Sequence, residues 1–341
     1  MNDNNSFRIL SLDGGGVRGY LTALILAKIE KRLNEELGES CSIGRRFDLI
    51  AGTSTGAIIA LALALEEYSA ADLVGFYEKN AQSIFGKPKM SCMDRLRHLL
   101  HLGSMGRPKY ASEPLKEALQ RYYGSKTLND VETDVCICSI ALQTGLPRFY
   151  KSAYFERNKE RLGESLVDIA LASAAAPAFF PPHKPAKHSG LLVDGGLCAN
   201  NPVISAIVDG LNIKKPQDNE NVQFSLDDLQ VLSIGTGQPC GMPFDARKLK
   251  KAGKLQWVLP KPFFSRAGAV PLVETFTQAQ SALADAQAKF LLKGHGRYTR
   301  INPRLPFAYP LDDIDCMDEL KNVADTSWEI EKSLKDHFGI A

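Results

Sequence analysis

A chain of 341 residues that is 44% hydrophobic and 23% charged can bury a large core, which excludes disordered, fibrous and small disulfide-stapled classes. Its 41 Lys and Arg against 39 Asp and Glu leave a formal net charge of +2, too small a field to select a nucleic acid polymer, and none is expected as partner. Seven scattered cysteines and six histidines without HExxH-type spacing suggest neither a disulfide framework nor a metal site, so no metal and no cofactor are expected.

The opening MNDNNSFRIL has no basic stretch followed by an apolar one, and the default reading is cytoplasmic. An apolar run at 7–12 then reads as a strand and the pattern at 20–37 as a helix. A second strand at 47–51 leads into AIIALALAL, residues 57–65, which Glu66 and Glu67 stop well short of the roughly 20 residues of a membrane span. A buried helix over 54–66 is expected there. Helices at 69–84 and 112–123 follow. Ser69 with Asp72 has capping-box spacing, and Ser112 precedes Glu113 and Pro114, which suit a first turn.

The strand at 134–142 carries Cys136 and Cys138 on one face, ordinary strand cysteines kept as thiols. A helix at 165–175, a strand at 191–194, a helix at 202–211 and a strand at 229–234 continue the alternation. The polar stretch 214–223 reads as a surface loop. Past residue 265 the pattern predicts a helix, a short strand in RYTRIN and a terminal helix over 317–337. The whole predicts a three-layer α/β/α fold with a mostly parallel central sheet. It is expected to form a single domain over 1–341: a motif-bearing core at about 7–211, and a remainder, 212–341, that completes the sheet and adds C-terminal helices.

Three glycine-rich stretches carry chemistry. Gly14-x-Gly16-x-x-Gly19 follows the first strand and opens a helix, where backbone N–H groups can cradle either a bound phosphate or a transient oxyanion. The second strand lacks the acidic residue that a dinucleotide fold uses to hold a ribose. It ends instead in Gly52-Thr53-Ser54-Thr55-Gly56, a G-x-S-x-G between strand and helix, the setting of a nucleophile elbow. Asp194, after a short apolar strand and before Gly195 and Gly196, is either an ordinary turn or the base for that serine. No histidine occupies a comparable strand end, so a Ser-Asp dyad fits better than a triad.

Asp13-Gly14-Gly15-Gly16-Val17-Arg18-Gly19, the G-x-S-x-G and Asp194-Gly195-Gly196, in this order and spacing, resemble the patatin-like phospholipase family. ALASAAAPAFFPP at 170–182, NNP at 200–202 and LSIGTG at 232–237 support the resemblance, which covers roughly residues 7–240. It implies a lipid acyl hydrolase in which Ser54 is the nucleophile and Asp194 the base. The N–H groups of Gly14, Gly15 and Gly16 then form the oxyanion hole, with Arg18 holding that loop. Gly19, Gly52, Gly56, Gly195 and Gly196 are the remaining motif glycines. Within the family, FRILSLDGGGVRGYLTALILAKIE looks most like bacterial cyclic-nucleotide-activated phospholipase effectors of anti-phage defence. That likeness implies membrane phospholipid as substrate, a cyclic dinucleotide as activator and recruitment to the inner membrane face. Two alternatives stay open: an esterase on soluble or neutral acyl esters, and a catalytically silent nucleotide-binding regulator.

Two basic segments are candidates for contacts. Residues 245–266 set seven basic residues beside Trp257, Phe263 and Phe264, either a peripheral membrane contact or a solvated helix. Residues 86–110 suit a lid, a phosphate site for an activator, or a subunit contact in a homo-oligomer. Phe179 and Phe180 either shape an acyl pocket or belong to the core.

Overall fold

The computed structural model describes residues 6–86, 108–152, 162–214, 223–242, 244, 245, 247, 250, 253, 257, 270–295 and 297–340. Its strands are β1 (Phe7–Leu12), β2 (Leu49–Thr53), β3 (Asp134–Ala141), β4 (Leu146–Lys151), β5 (Leu192–Asp194), β6 (Leu229–Ile234), β7 (Gln238–Pro239), β8 (Arg297–Ile301) and β9 (Arg304–Leu305). The helices are α1 (Gly19–Leu37), α2 (Thr55–Ala64), α3 (Ala70–Phe85), α4 (Glu113–Tyr123) and α5 (Leu166–Ser173). They continue with α6 (Gly196–Ala199), α7 (Val203–Asn212), α8 (Pro271–Leu291), α9 (Met317–Thr326) and α10 (Trp328–Ser333).

The central sheet runs β4-β3-β2-β1-β6-β8, with β5 pairing off β3. β1 lies parallel to β2 on one side and to β6 on the other, and β2–β3 and β6–β8 are parallel too. Among the described strands, only β4 and β5 run against β3. The architecture is mixed α/β with a mostly parallel sheet between helices, as the alternation predicted. Successive β1 residues face opposite layers. Leu10 and Leu12 enter the larger core with α1, α2 and α5, while Phe7 and Ile9 pack against Val203 and Ile207 of α7 and Ala284 and Ala288 of α8. Burial on both faces explains why these strands read as continuous apolar runs rather than alternating ones.

Local signals mark some helix starts. Ser69 and Asp72 form a reciprocal capping box at α3, and Pro114 sits in the first turn of α4. Every residue of α2 is buried, so AIIALALAL is a core helix. No helix among the described residues is long and apolar enough to cross a membrane.

The structure departs from the sequence expectations in four places, one being the short pair β7 and β9, where no strand is predicted. β4 was not anticipated, because Pro147 and a largely exposed pattern disguise an edge strand. A four-residue helix, α6, begins directly after Asp194-Gly195 where only a turn was read. The expected continuous helix over 317–337 breaks at Ser327 into α9 and α10 and ends in a π-helical turn, Leu334–Phe338. Of the basic segments, 87–107 and most of 245–266, including Phe263 and Phe264, lie outside the described residues.

Candidate active site

The glycine loop follows β1 and the serine turn follows β2, so the parallel pairing that sets Leu12 beside Gly52 puts both loops at one edge of the sheet. They meet: a Cβ on Gly14 would lie 3.2 Å from the Cβ of Ser54. A Cβ on Gly56 would lie 2.3 Å from the carbonyl oxygen of Leu12, so glycine there lets α2 start against the end of β1.

Ser54 has φ 55° and ψ −122°, a conformation that few residues other than glycine adopt. This strain at a strand-to-helix turn presents the hydroxyl at the N-terminus of α2, where the helix dipole favours developing negative charge. Its backbone N–H donates to Ser173 Oγ at 2.9 Å, and Ser173 donates to the Cys138 carbonyl at 2.6 Å. These bonds tie the turn to α5 and β3.

The Ser54 hydroxyl donates to Asp194 Oδ2 at 2.6 Å. Asp194 closes β5, opposite Ser139 of β3, and its Oδ1 accepts the Gly196 N–H at 2.7 Å. Burial raises this carboxyl from 3.8 to about 6, while the bonds from Ser54 and Gly196 oppose the shift. A carboxylate poised near neutrality can take a proton and return it within one turnover.

The glycine loop is divided in its duties. Gly14 N–H donates to the Asn200 carbonyl at 2.9 Å, and Gly14 O accepts from Thr236 Oγ1 at 3.1 Å. Gly14, expected as an oxyanion donor, therefore has its N–H engaged in fixing the loop. Among the described residues, the N–H groups of Gly15 and Gly16 carry no such bond. Gly16, with φ +59°, turns the chain here, and a Cβ would lie 2.1 Å from the Leu311 carbonyl oxygen. Arg18, expected to hold this loop, is buried and its guanidinium donates to the carbonyls of Gly15 and Tyr309. It braces the loop rather than facing an oxyanion.

Asp13, at the head of the loop, is held from the far edge of the sheet. Arg300 on β8 reaches both its carboxylate oxygens, at 2.8 and 2.6 Å, and donates to Ser233 Oγ at 2.7 Å. Asn200 Nδ2 donates to Ser281 Oγ of α8 at 2.8 Å. Sequence reasoning gave no role to Ser173, Asn200, Thr236 or Arg300. The first three lie within quoted motif stretches, but Arg300 sits in RYTRIN, which signalled only a strand.

Ser54, Asp194 and Gly14 to Gly16 line one cavity together with apolar side chains, among them Ile58, Phe76, Ile84, Phe85, Leu115 and Phe180, and with polar ones such as Thr277, Gln278 and Ser281. Phe179 and Phe180 belong to the core and also line this cavity. Next to the site Cys138 and Cys198 lie with sulfurs 3.5 Å apart as free thiols. Among the described residues, no group of three His, Cys, Asp or Glu could hold a metal.

Residues 10–207 match the family model described as patatin-like phospholipase. The chain belongs to the patatin-like phospholipase family. Patatin-like protein 3 of Arabidopsis thaliana is 30% identical over 321 residues, 86% of this chain and 73% of its own length. A cGAMP-activated phospholipase of Vibrio cholerae is 35% identical over 237 residues, 68% of this chain and 64% of that protein. Its Escherichia coli namesake is 36% identical over 236 residues, 69% of this chain and 63% of that protein. As a member of the patatin-like family, the chain is a lipid acyl hydrolase.

Proposed function

We propose that this patatin-like protein hydrolyses acyl esters of membrane phospholipids through a Ser54–Asp194 dyad, and that a cyclic dinucleotide switches it on. The observation that carries the chemistry is the 2.6 Å bond from a strained Ser54 to Asp194 at the end of an apolar cavity. Asp194 takes the hydroxyl proton as Ser54 Oγ attacks the ester carbonyl. The N–H groups of Gly15 and Gly16 stabilise the oxyanion, each donor being worth about 3 kcal/mol in a transition state. Collapse to the acyl-serine expels the alcohol, protonated by Asp194, and a water activated by the same carboxylate releases the fatty acid.

The apolar wall supports a long acyl chain as the bound group. Support for the activator comes from the two bacterial relatives whose names carry cGAMP activation, and a role in anti-phage defence extends that reading. The test is hydrolysis of phospholipid vesicles, with products identified by mass spectrometry, with and without a panel of cyclic dinucleotides. Release of fatty acid that rises with one dinucleotide and vanishes in Ser54→Ala is expected. Equal release with every dinucleotide and with none removes the activator, and faster turnover of soluble short-chain esters than of vesicles removes the membrane substrate.

A further inference from the structure

Helix α8 has two working faces. Its inner face buries Glu274, Ala284 and Ala288 and sets Val273, Thr277, Gln278 and Ser281 along the cavity. Its outer face is an exposed apolar stripe: Leu272, Phe276, Ala279, Leu283, Ala286 and Phe290. These positions follow one another at steps of four, three, four, three and four, the spacing of a seam between paired helices. Phe276, Leu283 and Phe290 are 55%, 59% and 80% exposed, more than isolated surface apolar residues require.

The inner positions of the stripe are also complementary in size about position 281. Turned antiparallel on a copy of itself, it sets Phe276 against Ala286, Ala279 against Leu283, and Leu272 against Phe290. Large side chains thus meet small ones at the inner pairs, whereas parallel pairing would stack Phe on Phe and leave Ala opposite Ala. The same antiparallel register brings Asp285 level with Thr277 and Lys289 level with Val273, so no like charges oppose each other. Self-complementarity of this kind is the signature of a two-fold interface. A bilayer is the less suitable occupant, because Glu274, Asp285 and Lys289 are the helix's charged residues, and the single basic one is paired with Asp285 at 2.7 Å.

We propose that a second copy of this chain docks on the outer face of α8, antiparallel about Ser281, to form a two-fold dimer. The stripe runs along a helix of 21 residues, about 30 Å long. Since the inner face of the same helix walls the active-site cavity, pairing steadies that wall in both subunits.

Sedimentation velocity on the full chain over a concentration series reads the proposal directly, independently of any catalytic assay. A dimer is expected, and Leu283→Glu, which sets a carboxylate against Ala279 of the partner, is expected to give a folded monomer by circular dichroism. Leu37→Glu, a change at an exposed leucine of α1, leaves the dimer intact. In a Cys92→Ser, Cys240→Ser background, Ala279→Cys mixed with Leu283→Cys is expected to cross-link across the pair in preference to either variant with itself. A monomer at every concentration, a dimer indifferent to Leu283→Glu, or cross-linking of Ala279→Cys mainly to itself overturns the proposal. So does a monomer that co-sediments with anionic vesicles through this stripe.

Discussion

Arg300 grips both carboxylate oxygens of Asp13 and thereby fastens the last strand of the central sheet to the first residue of the glycine loop. Asp13 is buried and the Arg300 side chain is only 9% exposed, and removing one partner of such a pair strands a charge, at a cost of about 3–5 kcal/mol. Arg300→Met is expected to lose that much in a urea titration. Arg300→Lys keeps the charge but not the two-pronged grip. It is expected to stay folded while kcat falls about tenfold and KM hardly moves, because the loop it positions acts on the transition state. A rise in KM with unchanged kcat would assign Arg300 to substrate binding instead.

The dyad makes two linked predictions. Ser54→Ala and Asp194→Asn are each expected to cut ester hydrolysis by about a thousandfold or more while the protein stays folded. In the parent, activity is expected to fall on the acid side with a midpoint at about 6, where Asp194 becomes protonated. A flat profile between about pH 5 and pH 8 would exclude Asp194 as base.

Asp194 also has a thermodynamic signature. Its raised pKa means that the folded state favours the protonated carboxyl, so this stabilisation is complete below about pH 4 and is lost as pH rises through about 6. Asp194→Asn, which keeps the shape without the charge, is expected to exceed the parent in stability by up to about 3 kcal/mol near pH 8. The two should converge as pH falls towards about 4, a comparison that denaturant titrations at several pH values make directly.

His337 behaves in the opposite sense. Its ring is buried with neither nitrogen bonded among the described residues, and burial lowers its pKa from 6.5 to about 3. The folded state holds it neutral while the unfolded chain takes up a proton below about pH 6.5, so stability falls as pH drops from there. His337→Leu removes both the unbonded nitrogens and the penalty. The variant is expected to gain about 2 kcal/mol over the parent between about pH 8 and pH 5, read as thermal melts across that range.

Phe180 stacks near Phe85 and Tyr110, at ring distances of 6.0 and 5.8 Å, and faces the cavity that holds Ser54. Phe180→Ala is expected to move the acyl preference towards longer chains when a series of esters is compared. Its stability cost should lie at or below the about 3 kcal/mol low end for a core phenylalanine, since part of the lost volume opens into the cavity.

Much of this was legible in the chain. The elbow was readable because a strand, a small-residue turn and an apolar helix follow one another without a gap, and Asp194 because it ends a short strand ahead of two glycines. Neighbouring residues constrain each other's backbone, and sequence records such constraints. The division of labour within the glycine loop was not legible. Whether the N–H of Gly14 is free depends on Asn200, and the anchoring of Asp13 depends on Arg300, 287 positions away. Edge strand β4 escaped for a different reason: one paired side and mixed exposure leave no clean alternation to read.

The position of β1 between β2 and β6 separates two boundaries that are easily confused. The match to the family model ends at residue 207, yet a fragment cut there would turn the strand leading into the glycine loop into a raw edge, bare of its partner β6. It would also lose Thr236 and Arg300, which hold Gly14 and Asp13. The stretch by which the chain is recognised is therefore not one that could be excised and still work, and truncations meant to isolate the hydrolase should keep everything through β8.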